Sequence, residues 1–164
     1  MPESIRIIPW LEGRCSFYAI ERNGVCLADE FMEILEGTDR GYSLRLSRMI
    51  QGLRTRQQTR PAILRPELPG LGVFALYNHK EFPSEQYNPS RLLCTYVGDS
   101  ARILLVGSGF IKTRNEPIQM NGRASYEAQY LASVSKKVND RIECGEIIIV
   151  GSKLLPLYPD SFTF

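Results

Sequence analysis

RLLCTYVGDSARILLVGSGFIKTRNEP, residues Arg91 to Pro117, decides how the chain folds. Two apolar runs, Arg91 to Val97 and Arg102 to Phe110, are separated by Gly98-Asp99, a hairpin signal. Runs of this length, rich in Leu, Val and Ile, read as strands. The first opens on Arg91, and the second carries Phe110, Lys112 and Arg114 to its far end. Two adjacent strands thus place three permanent cations and an aromatic ring around one anion-sized space.

Upstream, Gly72 to His79 reads as a third strand, with Val73, Phe74, Leu76 and Tyr77. Arg60-Pro61 and Pro66 to Gly72 form a rigid, turn-rich approach to it. Before that lie two helices. Leu27, Phe31, Ile34 and Leu35 follow amphipathic spacing, and Gly37 stops the first. Asp39 is placed to cap the second, which runs to about Arg56 with Leu46, Met49, Ile50 and Leu53 as its stripe. Ile5 to Trp10 and Ser16 to Glu21 are extended, the latter ending at Asn23-Gly24. Downstream of the hairpin, a helix is expected from about Ala124 to Val138, then a strand from Glu146 to Gly151 and a Pro- and Leu-rich tail. The order predicts an α+β fold: a small antiparallel sheet of about four to five strands, an N-terminal helical hairpin packed on it, and a C-terminal helix with an extension. Residues 1–138 are read as the main domain. Residues 139–164 are read as an extension packed on it or continuing it.

At 164 residues with 43% hydrophobic content, the chain has enough apolar material for one core. No run approaches a membrane helix, and the first 20 residues lack a signal-like apolar block, so a cytoplasmic protein without a membrane partner is expected. Cys15, Cys26, Cys94 and Cys144 are far apart and the chain has a single histidine, so neither a metal site nor a disulfide framework is expected. No cofactor is implied. The net charge of +2 conceals a segregation. Residues 1–39 carry 3 basic and 8 acidic groups, residues 40–114 carry 12 and 4, and residues 115–164 carry 5 and 6. From Arg40 to Arg65 there are seven arginines and no acid. Such an excess suits a polyanion or an acidic protein partner, and also a merely solvated basic face.

This layout resembles the RelE/HigB superfamily of toxin–antitoxin ribonucleases, closest to its phage-derived HigB-like branch. The likeness rests on Ala28-Asp29-Glu30-Phe31-Met32-Glu33-Ile34-Leu35, an "xDEFLxxL"-type helix after an opening strand. It continues through a basic second helix and the Gly/Pro-rich approach Leu68 to Gly72. It ends on Ser90 to Tyr96 in the place of a "yRvly" strand and Ile103 to Pro117 in the place of "ivLLhgFxKKtxxtP". The match spans roughly residues 16 to 132. Tyr77 stands where the family has an arginine, and Lys112-Thr113 replaces a double lysine with Arg114 close by.

The resemblance implies a toxin neutralised by a cognate antitoxin, expected to be a helix-turn-helix protein. It also implies metal-independent cleavage of mRNA, on the ribosome: the 2′-hydroxyl attacks the adjacent phosphate, leaving a cyclic phosphate and a 5′-hydroxyl. Arginine stays protonated, so Arg91 and Arg114 are assigned to phosphate stabilisation. Lys112 is a proton carrier or point charge, and His79 an acid or base. Tyr77 and Tyr96 are candidates for base stacking, and Arg45, Arg48, Arg56, Arg60 and Lys80 for holding RNA. Each has a plainer alternative. Arg91 can pair with Asp99 or Glu85, Phe110 can simply pack, and Tyr77 can belong to the core. The same fold stripped of catalysis would be a module that binds ribosome, RNA or a protein partner.

Overall fold

The computed structural model describes residues 2–56, 65–76, 90–111 and 122–164. In chain order these form β1 (Ile5–Leu11), β2 (Ser16–Arg22), β3 (Val25–Cys26), α1 (Leu27–Thr38), α2 (Arg40–Arg54), β4 (Arg65–Leu68) and β5 (Val73–Ala75). They continue as β6 (Ser90–Tyr96), β7 (Ile103–Ile111), α3 (Gly122–Glu143), β8 (Ile147–Val150) and β9 (Lys153–Pro156). The α+β expectation holds. The main sheet runs β1-β2-β7-β6-β5-β4, with β3 pairing β2, and β8 with β9 forms a separate hairpin. One pair departs from antiparallel: β2 and β7 run the same way, Ser16 opposite Ile103 and Ala19 opposite Val106. That pairing is possible because α1, α2 and the four strands β3 to β6 lie between them, which gives the crossover a parallel pair requires.

β2 and β7 occupy the middle of the sheet, and their alternation divides the core in two. Phe17, Ala19, Leu104 and Val106 face one side, where Phe31 and Leu35 of α1 and Leu46, Ile50 and Leu53 of α2 cover them. Tyr18, Ile20, Ile103 and Leu105 face the other, beneath Ala128, Leu131, Val134 and Val138 of α3. Strands covered on both faces have no polar side to show, which accounts for the unbroken apolar runs in the sequence. Burial of each such large side chain contributes roughly 1.5–3 kcal/mol.

Local chemistry sets the boundaries. Asn23 and Gly24 adopt φ of 51° and 81°, the left-handed pair that turns β2 into β3. The Asp39 carboxylate accepts the Tyr42 amide N–H at 3.1 Å, capping α2 as its sequence predicts. In β6–β7 the register shifts between Leu92 and Cys94, opposite Gly109 and Val106, so β7 carries an extra residue there. The bulge turns Gly109 toward α1, where a Cβ would lie 2.6 Å from the Phe31 ring and from the Arg91 carbonyl. Only glycine fits.

Candidate functional site

Arg91, at the start of β6, lies directly opposite Phe110, near the end of β7. Arg91 alternates in phase with Leu93, so both it and Phe110 point to the α3 face of the sheet. Its side chain is 0% exposed. Its Nη1 donates to the Ser90 carbonyl at 2.9 Å, and its Nε lies 3.6 Å from Oε1 of Glu67, itself buried. Among the described residues the ion-pair partner is therefore Glu67 and not Asp99, while Glu85 lies outside them. Glu67 occupies the irregularity between Pro66 and Leu68 in the β4–β5 register, and this bulge directs its carboxylate across β5 toward Arg91. Phe110 is a packing residue in the α3-side core.

A guanidinium in this position is not presented to a phosphate from solvent. Moving two charges out of water costs several kcal/mol per ion, and the pairing offsets that cost only while both partners stay. Arg91 and Glu67 thus form an internal electrostatic tie between β6 and the β4 edge. Lys112, Arg114 and His79, expected to share the site with Arg91, lie outside the described residues, as do Tyr77, Arg60 and Lys80.

The described arginines assigned to RNA belong to α2 and its end. Arg40, Arg45, Arg48 and Arg54 lie on the helix, which carries no acid. Arg48 is exposed. Arg45 is half-buried, its guanidinium 5.3 Å from the Tyr42 ring centre and its Nε donating to the Gly41 carbonyl at 3.3 Å. Those contacts stiffen a long side chain at the protein surface, which lowers the entropy cost of engaging a ligand. Arg56 follows the last turn, and its carbonyl accepts the Cys15 thiol at 3.2 Å. Arg54 leans the other way: a Cβ on Gly13 would lie 2.5 Å from the Arg54 carbonyl oxygen. Tyr96 packs edge-on against Phe74, ring centres 5.6 Å apart, at the end of β6 remote from Arg91.

Two of the four cysteines are held as protonated thiols. Burial pushes the Cys94 thiol far above its ordinary value, and burial likewise raises Cys26. A thiol held protonated packs as an apolar group. Among the described residues no group of His, Cys, Asp and Glu is placed to hold a metal ion. No described helix is long and apolar enough to cross a membrane.

No protein-family model matches the chain, and no curated protein or solved structure is significantly similar to it. The sheet and its basic helix therefore define the class, an α+β protein with a cationic helical face, from the residues alone.

Proposed function

We propose that this chain is a RelE/HigB-like toxin component, a metal-independent endoribonuclease that cleaves mRNA on the ribosome and holds it through the arginine face of α2. The observation that carries the reading is the assembly of strand, helical hairpin and three strands as one sheet, with four arginines and no acid on the second helix. Cleavage in this reading falls to Lys112, Arg114 and His79: one withdraws the 2′-proton, the cations stabilise charge on the phosphate, and the 5′-oxygen leaves with a proton. Arg91 has a structural role instead, through Glu67.

Expression of the chain alone tests this. Growth arrest with new RNA ends bearing 5′-hydroxyls is expected. Lys112→Ala with Arg114→Ala should reduce cleavage by roughly 10²–10³-fold, the usual effect of losing a phosphate-stabilising donor. Healthy growth at a soluble expression level would sink the toxin reading.

The burial of Arg91 favours a second reading, a binding module of the same fold that blocks a ribosome, RNA or protein partner without cutting. Its mark is translation halted in a purified system with no new RNA ends.

A further inference from the structure

The β8–β9 hairpin is apolar on both faces. Ile147 and Leu154 are buried in the α3-side core, with Ile149 packed beside them. The register sets Ile148 opposite Leu155 and Val150 opposite Lys153 on the outer face. One step further, the Leu157 amide donates to the Glu146 carbonyl at 2.9 Å, which extends that face by a pair. Ile148, Val150, Leu155 and Leu157 are 46%, 55%, 46% and 54% exposed. A surface ribbon ordinarily turns polar residues outward. Contiguous exposed aliphatics mark a surface made to be covered.

The charges on the outer face say by what. Glu146 stands at the open end of the hairpin and Lys153 at its turn. We propose that this face is a homodimer interface, two copies packing hairpin on hairpin about a two-fold axis. With the axis between the faces and roughly perpendicular to the strands, the open end of one copy covers the turn of the other. Lys153 of each then approaches Glu146 of its partner, once at each end. An axis along the strands would instead bring like charges together. Packed sheets lie ~10 Å apart with strands within ~30°, a spacing that long side chains bridge. Arg141, near the same end, donates to the carbonyls of Asp160, Ser161 and Thr163 and stacks 4.0 Å from the Phe164 ring centre; its Nε also lies 3.8 Å from Oε2 of Glu146, a loose pair that leaves the Glu146 side chain 43% exposed toward Lys153 of the second copy. A surface complementary to itself is what an isologous interface requires. This inference is independent of the RNA reading.

Sedimentation equilibrium of the full chain tests it. A reversible dimer with micromolar affinity is expected. Ile148→Asp and Leu155→Asp, at solvent-exposed positions, should each weaken it at least about tenfold with an unchanged circular dichroism spectrum. Lys153→Glu and Glu146→Lys should each weaken self-association, and their mixture should form a heterodimer tighter than either homodimer. A monomer up to about 1 mM, the weak end of measurable association, would overturn the proposal. So would a dimer indifferent to Ile148→Asp and Leu155→Asp, or a mixture no tighter than its components. Binding to neutral phosphatidylcholine vesicles without self-association would assign the face to lipid and overturn it as well.

Discussion

Arg91 carries a charge that water cannot reach, and Glu67 is the nearest described group able to balance it. Removing one partner of a buried pair strands the other. Arg91→Ala should therefore cost about 3–5 kcal/mol in urea unfolding, whereas Arg91→Met with Glu67→Leu should recover most of that loss. A double variant as unstable as Arg91→Ala would show that the pairing is not what Arg91 supplies. The arginine was legible in the sequence as a residue with a task; its partner was not. Asp99 and Glu85 are nearer along the chain, and the bulge that aims Glu67 has no local sequence signature. Thiols and phenols give a second check at this scale. Cys15 and Cys94 are buried and Cys144 is exposed, so a thiol reagent should modify Cys144 rapidly in the native protein and the buried pair only on unfolding. Burial also raises Tyr18 above the ordinary value of 10.0. The folded state then holds its proton longer than the unfolded chain does. Stability should be intact below pH 10 and fall as pH rises beyond it, less steeply in Tyr18→Phe.

Helices were the legible elements, because a stripe repeats at a period set by backbone geometry alone. α1, α2 and the Asp39 cap stand where spacing put them, and Asp39→Ala should cost about 1 kcal/mol by freeing the Tyr42 amide. Short strands were not legible. β3 has two residues, and β4 contains Pro66 within a stretch that reads as turn, so both exist only through pairing with distant partners. α3 extends to Glu143, past the expected end at Val138, and so the boundary drawn after residue 138 falls inside a helix. The candidate site divides the same way. α2's arginines were visible as a run, while the burial of Arg91 depends on how three strands stack. If α2 is the RNA-binding face, Arg45→Glu with Arg48→Glu should weaken binding to all RNA sequences alike. Each lost phosphate contact should also reduce the slope of log affinity against log salt by roughly 0.7–0.9. Unaltered affinity and slope would move the interface off α2.

At the scale of the molecule, the last residues close the sheet rather than hang from it. Thr163 bridges to Arg6, the Ile7 amide donates to the Phe162 carbonyl at 2.9 Å, and the Phe164 amide donates to the Ile5 carbonyl at 2.8 Å. The tail therefore acts as a short strand on the outer edge of β1, held from the other side by Arg141. The hairpin before it is tied inward as well: the Leu154 amide donates to the Tyr18 hydroxyl at 2.8 Å, and Phe162 meets the Tyr18 ring edge-on. An open sheet edge is a template for unwanted pairing, and this chain covers its own. Two deletions separate edge protection from core support. Removing residues 162–164 uncovers β1 and takes one ring off Tyr18, so a folded but aggregation-prone protein is expected, measured by light scattering during heating. Removing residues 139–164 also truncates α3 and strips Ile147 and Leu154 from the core, so loss of cooperative unfolding is expected. A cooperative, soluble 1–138 fragment would mean that the extension is an appendage, and the tie between Tyr18 and Leu154 would then contribute little to the fold.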